Sequence, residues 1–123
     1  MTTDDDILRR ALGALAAELE AFAQARDWEQ FHAPKNLAMS LAIEAAEVME
    51  HFQWTAADDL PPPGSARHRA IAHELADVAI YLVRLATVLD IDITTALREK
   101  IAINEARYPV ERARGRATKY DEL

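Results

Sequence analysis

Residues 34–54 read PKNLAMSLAIEAAEVMEHFQW, and residues 66–89 read ARHRAIAHELADVAIYLVRLATVL. In the first stretch Leu37, Leu41, Ala45, Val48 and Phe52 recur mostly at steps of three or four. In the second, Ile71, Leu75, Val78, Leu82, Leu85 and Leu89 do so without a break. Such spacing lays one apolar stripe along each of two helices. Between them Asp58-Asp59-Leu60-Pro61-Pro62-Pro63-Gly64-Ser65 has the composition of a loop. Two helices joined this way predict an antiparallel hairpin.

Upstream, a first helix is expected over about residues 4–25, with Thr3 as N-cap and Asp6 three positions on, resembling a capping box. Its stripe is Leu8, Leu12, Leu15, Leu19 and Phe22. A polar and aromatic stretch from Arg26 to His32 leads to Pro34, suited to a first helical turn. Downstream, Asp92 can cap a fourth helix through Ile93, Leu97 and Ile101 that ends near residue 107, before Pro109. Residues from about 110 to 123 are basic and weakly periodic, and are expected to form a mobile or partner-docked tail. The pattern predicts an all-α chain with a four-helix bundle core, in one domain spanning 1–123.

Bulk composition narrows the function. The chain has 123 residues, half of them hydrophobic, with a net charge of −7 and no cysteine. Disulfides and thiolate metal sites are thereby excluded. An acidic surface argues against a nucleic-acid polymer as partner, because that binding needs a basic face. It is compatible with a nucleotide if a cation is recruited first. No apolar run is long enough for a membrane span, and the Met1-Thr2-Thr3-Asp4-Asp5-Asp6 start lacks a secretory pattern, so a cytoplasmic protein is expected.

The chemistry concentrates in Glu44-x-x-Glu47 on the second helix and Glu74-x-x-Asp77 on the third. Each i, i+3 spacing puts two carboxylates on one helical face. In an antiparallel hairpin with its midpoint between Leu60 and Pro61, Glu44 meets the level of Asp77 and Glu47 that of Glu74. Four carboxylates so close repel one another unless protonated or neutralised by a cation. All-oxygen donors suit Mg²⁺ or Mn²⁺. A di-iron bundle would require Glu-x-x-His elements, and His51 and His73 stand at other offsets. Ordinary surface acids are the competing reading. Glu50 extends the first pair by another three residues and could orient water or metal, or simply be solvated.

Other polar and aromatic residues surround these acids in sequence. Trp28 and Trp54 could close the core or stack on a base. His32, Lys35 and Asn36 cluster before the second helix, where capping competes with phosphate or base contact. Lys100, Asn104 and Tyr108 form a polar stripe on the fourth helix, suited to phosphate or sugar or to solvent. Tyr81 lies one turn beyond Asp77, a candidate pocket wall.

Taken in order, Trp28 to Leu37, Glu44-x-x-Glu47, Phe52-Gln53-Trp54, Glu74 to Leu82, Lys100-x-x-x-Asn104 and Arg107-Tyr108-Pro109 resemble the dCTP pyrophosphatase branch of the MazG-like nucleotide pyrophosphohydrolases. The resemblance reaches Lys119-Tyr120, almost the whole chain. It implies Mg²⁺ held by Glu44, Glu47, Glu74 and Asp77. It also implies a nucleotide pocket lined by Trp28, Phe31, His32, Trp54 and Tyr81, and a homotetramer, a dimer of dimers with shared sites. Ile43 stands where many such proteins have a further glutamate, although the dCTP branch often lacks it. Leu19 stands where vertebrate members carry a histidine near the base. The expected activity is Mg²⁺-dependent hydrolysis of a nucleoside triphosphate, dCTP or a modified dCTP, to monophosphate and pyrophosphate. A water near Glu47 or Glu50 would attack. The same chemistry on another triphosphate, or a non-catalytic nucleotide-binding oligomer, stay open as alternatives.

Overall fold

Thr3 sets the start of the first helix. In the computed structural model, which describes residues 1–123, α1 runs Asp4–Ala25. The Thr3 hydroxyl accepts from the Asp6 backbone N–H, while the Asp6 carboxylate accepts from the Thr3 N–H. This reciprocal capping box satisfies donors that a helix start otherwise leaves open. Four further helices follow: α2 over Pro34–Glu50, α3 over Ala66–Val88, α4 over Ile93–Arg107 and a short α5 over Val110–Ala113. Ser65 and Asp92 cap α3 and α4 by accepting from the His68 and Thr95 N–H groups. No strand is present, so the fold is all-α.

Two helix ends share one device. After α1, Asp27 takes a left-handed conformation (φ 52°), and after α3 Asp90 does the same (φ 55°). The Asp27 and Trp28 N–H groups donate to the Gln24 and Ala23 carbonyls, and Asp90 and Ile91 repeat this with Thr87 and Ala86. Both are Schellman motifs, built on aspartate where glycine is commoner. The first folds the chain back over the end of α1, ahead of a 3₁₀ turn at Glu29–Phe31.

The hairpin of α2 and α3 forms the most extensive interface, and α1 packs across α3 and α4. Arg67 ties the loop shut. It pairs with Asp59 at 2.5 Å and donates to the His51 carbonyl. The α-helical part of α2 ends at Glu50, not near Trp54 as its periodicity implies. His51 and Phe52 bond to Val48 and Met49, three residues back, so tighter turns replace the α pattern before Trp54.

Fully enclosed side chains are few: Leu37, Ala23, Val83 and Ala86 form the apolar centre, with Arg84 and Thr94 beside them. The inward face of α3 departs from its leucine stripe. Glu74, Asp77, Val78 and Tyr81 are half-buried, whereas Leu75, Leu82 and Leu89 are exposed. The basic tail is also not loose. Tyr120 packs edge-on against Tyr108 at 6.1 Å, under the Arg107 guanidinium, and Arg112 donates to the Leu123 carbonyl.

Leu37, in the first turn of α2, is 1% exposed. Leu37→Ala is expected to cost about 2–5 kcal/mol, the range for emptying a closed apolar site. Urea unfolding followed by circular dichroism checks this value.

Candidate active site

On α2 and α3 the acids lie on the half-buried faces, continuing the line of the core rather than pointing to open solvent. Glu44, Glu74 and Asp77 each place a carboxylate oxygen within 4.8 Å of the others. Glu47 lies outside that group of three but close enough to raise the pKa of both Glu44 and Glu74. Burial, then Glu47, then the charges of Asp77 and Glu74 push the Glu44 pKa from 4.5 up to about 7. Glu74 is pushed up as well, chiefly by its contact with Glu47. Glu44 Oε2 is closed off from solvent and has no donor. A hard divalent cation would satisfy that orphaned oxygen and offset the crowded charge, so the donor set fits one.

Asp77 also faces a cavity of about 210 Å³, together with Leu19, Phe22, Ala23, Trp28, His32, Ile80, Tyr81 and Arg84. The Schellman turn after α1 aims Trp28 here. Its ring meets Phe22 edge-on at 5.7 Å and His32 at 6.4 Å. Arg84 Nε donates to His32 Nδ1 at 3.3 Å. Burial first, and then the Arg84 cation, hold the His32 pKa below its usual value, so the ring is the neutral acceptor this bond needs. An oxygen-rich acid cluster thus adjoins an aromatic slot through a shared residue, Asp77.

The family model for MazG-like proteins matches residues 39–123, a span that includes all four acids. The chain belongs to the MazG-like family. It is 47% identical to human dCTP pyrophosphatase 1 over 104 residues, covering 83% of this chain. The rat protein of the same name is 45% identical over the same share. The chain spans 61% of the length of these curated relatives. A crystal structure of a pyrophosphatase from Archaeoglobus fulgidus superposes with a TM-score of 0.73 at 39% identity, covering 80% of this chain and 93% of that one.

The remaining residues singled out from the sequence of this MazG-like chain sit elsewhere. Glu50, at the exposed end of α2, lines a shallow groove with Ala46, Met49 and Gln53. Trp54 is 88% exposed beyond α2, and Phe31 is exposed and does not line the cavity. Asn36 caps the preceding 3₁₀ turn by donating to the Phe31 carbonyl, and Lys35 is exposed beside it. Lys100 and Asn104 are exposed on α4. Conversely, Arg84, Phe22 and Ile80 line the cavity without having been read as site residues. Arg84 carried a usable signal, a lone charge inside the apolar run Tyr81-Leu82-Val83-Arg84-Leu85-Ala86.

A second cavity of about 200 Å³ opens between α1 and the α3–α4 turn, lined by Leu12, Ala16, Val83 and Ile91. Its charged residues, Arg9 and Asp92, already pair with each other at 2.9 Å. It has neither an acid cluster nor an aromatic ring.

The raised Glu44 pKa sets a pH dependence. A carboxyl that binds its proton more tightly folded than unfolded favours the fold when protonated, and that advantage is lost as it ionises. In EDTA, the melting temperature is expected to fall as pH rises from 4.5 to about 7, the interval between the ordinary and shifted Glu44 values. Glu44→Gln should flatten that fall. Differential scanning calorimetry across this range checks both.

Proposed function

We propose that residues 1–123 form a single catalytic domain that hydrolyses a nucleoside triphosphate, dCTP or a modified dCTP foremost, to the monophosphate and pyrophosphate. The observation that carries this reading is the position of Asp77, shared between the cluster of Glu44, Glu74 and Asp77 and the aromatic cavity. Similarity to proteins named dCTP pyrophosphatase 1 supports placing dCTP foremost.

Glu44, Glu47, Glu74 and Asp77 would hold Mg²⁺, with Mn²⁺ as a substitute. When bound there, the ion supplies charge neutralisation for the triphosphate and for the departing pyrophosphate. The chain's own residues do the rest. Trp28, Phe22 and Tyr81 offer faces and edges to a base, and His32 stays neutral beside them. Glu47, among the clustered acids, takes the proton of a water whose oxygen bonds to the α-phosphorus. The bond from that phosphorus to the oxygen bridging toward the β-phosphorus breaks, and pyrophosphate leaves. Glu50 is the less favoured base, because it stands at the exposed end of α2.

The proposed assembly is a homotetramer working in the cytoplasm to clear the nucleotide pool. Its support is the sparse core of the single chain together with the exposed Met39, Ile43, Leu75 and Leu82, a shortage of burial that further copies would make good. No helix of the chain is long and apolar enough to cross a membrane.

Incubation with each common dNTP and NTP, in Mg²⁺ or in EDTA, tests the reaction. Metal-dependent release of dCMP and pyrophosphate from dCTP is the expected result. Saturable binding without turnover would favour a non-catalytic nucleotide-binding oligomer, and cleavage of another nucleotide would move the specificity while keeping the chemistry. Glu47→Gln should lower kcat by roughly 10²–10⁴-fold, the usual contribution of a positioned base. Turnover unchanged in that variant would remove Glu47 from its role.

A further inference from the structure

Arg84 is the only charged residue among those fully enclosed by the chain, at 5% exposure. No carboxylate pairs with it; its single hydrogen bond runs from Nε to His32 Nδ1. A guanidinium has five N–H donors, and an enclosed cation without an anionic partner is costly. Neither Nη nitrogen has a partner, and neither is among the atoms closed off from space. The residue lines the aromatic cavity. His32 therefore fixes one edge of the guanidinium and leaves the Nη1–Nη2 fork free toward that cavity.

Position along α3 indicates what the fork meets. Asp77 marks the carboxylate end of the cavity, and Arg84 stands seven residues further on. Seven residues of helix span about 10 Å, at 1.5 Å each. With the phosphates at the carboxylates, the end holding Arg84, Phe22 and Trp28 is the base end. At about 210 Å³ the cavity lies below the common range for ligand pockets, which suits one ring better than two. A donor-only fork needs two adjacent acceptors. Cytosine presents N3 and O2 side by side. Uracil and thymine put an N3–H donor in that place, which opposes another donor.

We propose that Arg84 is the base-specificity residue of this site, its Nη fork donating to N3 and O2 of a cytosine ring and rejecting uracil and thymine. The proposal rests on the nucleotide reading above and adds how the base is chosen. Lysine at this position keeps the charge but not the fork.

The test compares wild type, Arg84→Met and Arg84→Lys with dCTP, dUTP and dTTP, and measures dCMP and dUMP binding by calorimetry. Wild type should prefer dCTP and bind dCMP more tightly than dUMP. Both variants should lose roughly 10–100-fold in kcat/KM on dCTP, the worth of a bidentate base contact, while staying within a few-fold on dUTP and dTTP. The preference for dCMP should collapse in parallel. Circular dichroism verifies folding, and Arg84→Lys carries the comparison if Arg84→Met does not fold. Equal losses on all three triphosphates would assign Arg84 to phosphate or to structure and overturn the proposal. So would an unchanged preference, or a wild type that does not distinguish cytosine from uracil. Absence of turnover with a dCMP preference that depends on Arg84 would instead overturn only the catalytic reading.

Discussion

Mutual repulsion among Glu44, Glu47, Glu74 and Asp77 is the constraint around which the hairpin of α2 and α3 is arranged. Each helix turns two acids toward the other where apolar side chains would have packed. The interface therefore contains a layer that works against its own stability. The crowding makes Glu44 and Glu74 hold their protons more tightly than free carboxyls do. One oxygen, Glu44 Oε2, is left with no donor at all. Sites that trade stability for a task commonly look like this, since a crowd of half-buried acids has little use in a purely structural bundle.

The rest of the architecture holds that layer in place and opens beside it. Leu37 anchors the start of α2, while Arg67 closes the far loop by engaging Asp59 and the His51 carbonyl. The Schellman turn at Asp27 returns Trp28 to the α1–α3 crossing, where Phe22, His32, Tyr81 and Arg84 complete the slot. Because Asp77 belongs to both the acid layer and the slot, a ligand in one is in register with the other. Two helices thus supply charge, and a third with its C-terminal turn supplies shape.

Much of this was legible in the residues. The hairpin follows from two 3.6-residue stripes around a proline-rich loop, and the meeting of Glu44, Glu74 and Asp77 follows from their placement about its midpoint. The capping box at Thr3 and Asp6 was equally plain, because its geometry is local. The end of α2 was not, since apolar spacing continues through Phe52 while the hydrogen bonds tighten at His51. The leucine stripe of α3 misled in another way. Periodicity marks an apolar face but not which partner covers it, and Glu74 and Asp77 occupy the inward line while Leu75 and Leu82 remain open. Arg84 stands out in sequence as a lone charge in an apolar run, but its pairing with His32 and its place in the slot follow only from the packing of α1 against α3. Trp54, Lys100 and Asn104 are exposed in the single chain and lie outside the cavity lining.

The central claim is that the acid layer is built for a divalent cation. Calorimetric titration of Mn²⁺ into the metal-free protein at pH 7.5, beside a Glu44→Gln, Asp77→Asn double variant, tests it most directly. Saturable binding by the wild type, with proton release, and its loss in a double variant that is still helical by circular dichroism are the predicted results. Absence of binding to the wild type, or equal binding by both proteins, would contradict the account.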